Sequence, residues 1–127
     1  MDQQPKASPR KTIVICDDND DILEVYAVCL RSENYTVRVA HNYKELLPLL
    51  RHPKPDLLIL DIRMPDMDGF DILEAIAAEG LHPPVFMMTA HDHFMYRNYA
   101  PVVGVREYLT KPVDADVLLQ KIKSTIG

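Results

Sequence analysis

Leu57-Leu58-Ile59-Leu60-Asp61-Ile62-Arg63-Met64-Pro65-Asp66-Met67-Asp68-Gly69 is the stretch that decides the fold. Four apolar residues in a row, preceded by Lys54-Pro55-Asp56, read as a strand covered on both faces. The run stops at Asp61, and the carboxyl ends of strands are where open α/β sheets place their chemistry. Asp66-Met67-Asp68-Gly69 has only a fragment of a calcium-loop spacing, so it reads as a turn into a helix.

Three more strand-like runs end on reactive side chains. Ile13-Val14-Ile15-Cys16 stops at Asp17 and Asp18, Val85-Phe86-Met87-Met88 stops at Thr89, and Tyr108-Leu109-Thr110 stops at Lys111-Pro112. Strands are expected near 11–16, 35–40, 56–60, 84–89 and 105–109, and helices near 20–31, 43–51, 69–79, 91–100 and 114–126. Strict alternation of the two implies an α/β domain with a mostly parallel sheet and right-handed crossovers. Runs one, three and four are continuously apolar, whereas Thr36-Val37-Arg38-Val39 alternates and Val105-Arg106-Glu107-Tyr108-Leu109 carries charges. The second and fifth strands are therefore the edges of a doubly wound, five-stranded sheet of order 2-1-3-4-5. Its switch point falls between strands one and three, which carry the three aspartates.

Within the helices, Ile22, Val25, Tyr26 and Cys29 are expected on one buried face of the first, widened by Leu23 and Leu30. Asp17 or Asp18 could cap that helix, but a cap needs one acid. Leu118, Leu119, Ile122 and Ile126 form the stripe of the last helix, with Asp114 as its N-cap. Pro48 should disturb the second helix, and Pro101 should end or kink the fourth near Tyr99 or Ala100.

The 127 residues suit one domain: a lead-in over 1–10 containing Pro5, Ser8 and Pro9, then a folded unit over 11–127. At 47% hydrophobic and 26% charged, the composition is that of a globular protein. A net charge of −5 argues against direct nucleic-acid binding, which rests on cations neutralising phosphates. No apolar stretch is long enough for a bilayer, and residues 1–10 hold no signal-peptide core, so no membrane role and a reducing cytoplasm are expected. Cys16 and Cys29 then read as buried thiols.

Adjacent strands lie about 4.8 Å apart, so side chains at their ends can converge on one ion. Clustered carboxylates need a counter-charge, and hard oxygens with waters and a phosphate suit Mg2+. One carboxylate could then act as nucleophile toward a phosphoryl group, with Lys111 as a compact cation for its oxygens and Thr89 as a hydroxyl donor.

Cys16-Asp17-Asp18-Asn19, the segment Leu60 to Gly69, Met88-Thr89-Ala90 and Tyr108-Leu109-Thr110-Lys111-Pro112 together resemble the signatures of two-component response-regulator receiver domains, over roughly residues 11–126. The resemblance implies a flavodoxin-like fold with helices on both faces of the sheet. It makes Asp61 the phosphoacceptor, and Asp17, Asp18, Asp61 and the Arg63 carbonyl the Mg2+ site, with Asp17 acting mainly through water. Thr89 and Lys111 hold the phosphoryl group, Thr89 and Tyr108 form the switch, and Lys111–Pro112 is cis. Arg63 and His91 flank the path of the hydrolytic water and tune dephosphorylation.

The partners so implied are a sensor histidine kinase or phosphotransfer protein and a downstream target or output domain. The output face would be built from the helix over 91–100, the fifth strand and the last helix. Phe94, Met95, Tyr96, Tyr99, Val102 and Val103 around Pro101 add a candidate partner surface, with a homodimer through 94–109 as one version. The sequence ends about a turn past the last helix, so the expectation is a receiver, stand-alone or part of a longer regulator. Three rivals fit less well, one being a receiver fold that signals by binding alone, which ranks lower because the whole acceptor set is present. A dehalogenase-like phosphatase would want a second Asp where Arg63 stands, and the acidic loop after the first strand would repel a flavin phosphate.

Overall fold

The computed structural model describes residues 10–90 and 104–127. The expected helix over 91–100, His91, Pro101 and the 94–103 part of the proposed partner surface lie outside the described residues, as do residues 1–9.

Five strands form one parallel sheet in the order β2-β1-β3-β4-β5. They are β1 (Thr12–Cys16), β2 (Thr36–Ala40), β3 (Leu57–Asp61), β4 (Val85–Thr89) and β5 (Val105–Thr110). Four helices are described: α1 (Asp20–Arg31), α2 (Tyr43–Arg51), α3 (Gly69–Ala78) and α4 (Ala115–Ile126). The three continuously apolar runs are the three central strands, and every residue of each is buried. Only a strand with helices over both faces can hide both sets of side chains.

The two faces bury separate cores. Ile13, Ile15, Ile59, Phe86 and Met88 point toward α1 and α4, where they meet Leu23, Tyr26, Leu118 and Ile122. Val14, Leu58, Leu60 and Met87 point the other way, onto Leu46 and Leu50 of α2 and Ile72 and Ile76 of α3. Phe86 is fully buried, and truncating such a side chain to Ala costs about 3–5 kcal/mol.

Three expectations need correction. Val25 is 62% exposed, and α1 buries Leu23, Tyr26, Ala27 and Leu30 instead. Both sets follow i, i+3, i+4, i+7 spacing, and the stripe with the two leucines wins the sheet. The cap of α1 is neither Asp17 nor Asp18 but Asn19, whose side chain accepts the Ile22 N–H at 3.1 Å. That leaves both aspartates for other work. The second helix also runs unbroken through Pro48. Pro48 and Lys44, four residues earlier, are both exposed, so water can serve the carbonyl that proline leaves without its N–H.

At the carboxyl edge, the β3–α3 connection is held tightly. Gly69 donates to the Ile62 carbonyl at 2.7 Å, and a Cβ there would sit 3.0 Å from Ile62 Cα and 3.1 Å from the Asp61 carbonyl oxygen. Glycine is required by that backbone approach. Asp68 caps α3 reciprocally with Asp71.

Candidate functional site

Register decides which side chains meet. Cys16 pairs with Leu60, Asp61 with Met88, and Thr89 with Thr110, so the reactive ends of β1, β3, β4 and β5 finish nearly level. Asp17 extends β1 by one ladder bond, its N–H donating to the Ala40 carbonyl at 3.1 Å.

Both oxygens of Asp17 are engaged. Oδ1 accepts the Asn19 N–H at 2.9 Å, and Oδ2 accepts from Lys111 Nζ at 2.6 Å. Asp17 is only 2% exposed, whereas Asp18 beside it faces solvent. Asp61 closes β3 at 5% exposed. Its Oδ1 accepts the Arg63 N–H at 3.2 Å, and its Oδ2 lies 3.3 Å from Lys111 Nζ. Carboxylate oxygens of Asp17, Asp18 and Asp61 all lie within 4.8 Å of one another.

Lys111 is introduced by β5, one residue past its end. Its N–H donates to the Thr89 carbonyl at 2.6 Å, tying the ends of β4 and β5 together. The Lys111–Pro112 peptide is cis, as the resemblance implies. Thr89 itself is buried at the end of β4.

Burial pushes the Asp61 carboxyl above its ordinary range, and the Asp17 charge adds to the effect. Lys111 and the Arg63 N–H pull the other way without cancelling it. For Lys111, burial opposes the charge. Its hydrogen bond to Asp17 and the charges of Asp17 and Asp61 outweigh that, so the ammonium is held above its usual value. Three carboxylates face one ammonium, an excess of two negative charges in a partly buried pocket. A hard divalent cation fits such a donor set, with Asp18 on the open side.

Asp17, Asp18, Asp61 and Lys111 are thus brought together, with Thr89 at the neighbouring strand end. Tyr108 is not among the carboxylates. It is half-buried on the α2–α3 side of the sheet, its ring 6.4 Å from that of Phe70. The Arg63 side chain is exposed, and only its N–H touches Asp61 among the bonds described.

Two residues have roles that the spacing does not reveal. His41 stands between Asp20 (2.6 Å) and Glu45 (2.8 Å), joining the starts of α1 and α2. Tyr26, read as a core residue, sends its hydroxyl to the loop after Lys111. There it meets both the carbonyl and the N–H of Val113 at 3.1 Å. The available signal was a tyrosine rather than a phenylalanine on a buried face, since a buried hydroxyl needs a partner.

Comparison with known proteins agrees with this geometry. The sequence pattern of the response regulator receiver domain matches residues 13–123. The transcriptional regulatory protein GlrR of Escherichia coli K12 is 36% identical over 114 residues, which is 90% of this chain and 26% of GlrR. An uncharacterized 14.6 kDa protein of Leptolyngbya boryana is 35% identical over 113 residues, covering 87% of this chain and 86% of that protein. The chain spans 44% of the mycobacterial regulator TrcR, so it corresponds to less than half of several larger relatives.

In three dimensions, a receiver-domain protein of Methanospirillum hungatei, described as CheY-like, matches with a TM-score of 0.84 at 30% identity, over 93% of this chain and 94% of the other. Pattern, relatives and fold agree with the four strand ends: this chain belongs to the response regulator receiver domains of two-component signalling.

Proposed function

We propose that this domain is a switch driven by phosphorylation of Asp61, with a sensor histidine kinase, a phosphotransfer protein or a small phosphodonor as the source. The observation that carries this reading is Lys111 Nζ lying 2.6 Å from Asp17 and 3.3 Å from Asp61. A partly buried cation shared between two strand-end carboxylates is arranged to receive the oxygens of an incoming phosphoryl group.

In the proposed step an Asp61 carboxylate oxygen forms a bond to phosphorus. The donor's bond to phosphorus breaks, and its electron pair leaves with the donor group. Burial and the Asp17 charge raise the basicity of Asp61, which strengthens it as a nucleophile. Lys111 keeps Asp17 and turns its remaining donors to the phosphoryl oxygens, joined by the Thr89 hydroxyl. Asp17, Asp18, Asp61 and the Arg63 carbonyl would hold Mg2+, which when bound offsets the charge on the reacting oxygens.

Recruitment of Thr89 would alter the space beside β4 and bias Tyr108, changing the surface around β5 that a target or output domain reads. Arg63 is exposed at the mouth of the site, where its guanidinium would crowd the water that hydrolyses the acyl phosphate, together with His91.

Intact-mass measurement after incubation with acetyl phosphate and Mg2+ tests the reading. One phosphoryl group should be gained, lost in Asp61→Ala and prevented by chelator. Label that persists in Asp61→Ala would place the acceptor elsewhere.

A further inference from the structure

Lys111 does its work at the end of a flexible side chain, so the backbone that carries it must be fixed from both sides. On the upstream side its own N–H is bonded to the Thr89 carbonyl. Downstream, Pro112 has no N–H to give, and the loop then enters α4 through the Asp114 cap. Between these points the chain meets Tyr26. Tyr26 is 7% exposed on α1, and its ring packs in the core beneath the loop. Its hydroxyl donates to the Val113 carbonyl and accepts the Val113 N–H, both at 3.1 Å.

One side chain thus satisfies both main-chain polar groups of a residue two positions after Lys111. The ring alone would serve the core equally well as phenylalanine.

We propose that Tyr26 is a positioning residue for Lys111: its hydroxyl clamps Val113 and so fixes where the ammonium stands between Asp17 and Asp61. This rests on the reading of Asp61 as phosphoacceptor. Tyr26 touches neither the carboxylates nor the phosphoryl group. It acts on the loop, and the loop sets the reach of the lysine. Without the clamp, residues 111–113 gain freedom, and the ammonium spends less time where a phosphoryl group arrives. Misplacement by about 1 Å can cost as much as about a hundredfold in rate, so a partial loosening is worth about fivefold.

The test is Tyr26→Phe, which keeps the ring. Phosphate incorporation from acetyl phosphate with Mg2+ is timed in wild type, Tyr26→Phe, Lys111→Ala and the double variant. Tyr26→Phe should incorporate phosphate about fivefold more slowly than wild type. Adding it to Lys111→Ala should change nothing further, because the group it positions is gone. A residue that merely supports the fold would slow both backgrounds alike.

Amide hydrogen exchange at Val113 gives a second readout that needs no phosphorylation, and it should accelerate in Tyr26→Phe. Equal rates in Tyr26→Phe and wild type, equal slowing in the Lys111→Ala background, or unchanged Val113 exchange would each overturn the proposal. Wild type that takes no phosphate while Val113 exchange accelerates as expected would refute the phosphoacceptor reading and leave the clamp standing as a structural contact.

Discussion

Asp18→Asn separates what the site contributes to stability from what it contributes to binding. Oxygens of Asp18 lie within 4.8 Å of those of Asp17 and Asp61. At that separation like unit charges repel by about 0.9 kcal/mol in a water-like dielectric of about 80, and by about 3.5 kcal/mol at about 20. Asp18 faces solvent, so the lower figure applies to each of the two repulsions. Attraction to Lys111 offsets part of the sum, and salt screens the rest. Removing the Asp18 charge should therefore stabilise the metal-free domain by about 0.5–1 kcal/mol. Magnesium should reverse the order. At ten times its dissociation constant a ligand that binds only the folded state adds about 1.4 kcal/mol, and wild type should gain this while Asp18→Asn gains little. Urea unfolding in chelator and in excess MgCl2 measures both arms. An Asp18→Asn domain less stable than wild type in chelator, or one gaining as much from Mg2+, would refute the reasoning.

The Cys16 thiol is fully buried beside Asp17 and pushed up to about 12, first by burial and then by the neighbouring carboxylates. Alkylation of the native protein should therefore modify Cys29 and spare Cys16 until the chain is unfolded, as peptide mass mapping would report. His41 is held above 6.5 by its hydrogen bonds to Glu45 and Asp20. Its folded-state value is raised, so its contribution is full below 6.5 and is lost as pH rises through the folded value. His41→Asn should lower the unfolding midpoint at about pH 5.5 and leave it unchanged at about pH 9; equal effects at both would reject a charged clip. Arg63→Asn combined with His91→Glu should shorten the life of the phosphorylated form after the donor is removed, and an unchanged decay would show that these side chains do not set it.

The sheet was legible because burial on both faces writes an uninterrupted apolar run, and exposure on one face writes an alternating one. Strand order followed from that contrast, and the sheet confirms it with Arg38, Arg106 and Glu107 on edge strands. The acids were legible because they directly follow such runs, and the lysine because it closes the charged edge strand beside them. The face of α1 was harder, since the stripes through Ile22 and Leu23 differ by one residue and both satisfy helical spacing. What separates them is the packing of α1 against the sheet and α4, a tertiary fact. Likewise, the proline in α2 is tolerated because its position faces water, which local sequence does not state. Tyr26 and His41 act over separations of 87 and 21 residues, and no local pattern reports a partner so distant.

Lys111 has unequal partners, and the inequality has a direction. At 2.6 Å the bond to Asp17 is a short charge-assisted one, whereas 3.3 Å to Asp61 is a loose contact. Asp17 is also the more deeply buried of the two and is held by the Asn19 N–H. A buried carboxylate that lost its cation would be left costly and uncompensated, by about 3–5 kcal/mol in comparable pairs. On the proposed reading, the ammonium is therefore expected to stay with Asp17 when Asp61 reacts. The weaker contact is the one that chemistry at Asp61 can exchange for a phosphoryl oxygen at little cost. Such an exchange needs rotation of the lysine side chain alone, provided that the backbone on either side does not move. Thr89 fixes one side of that backbone and Tyr26 the other.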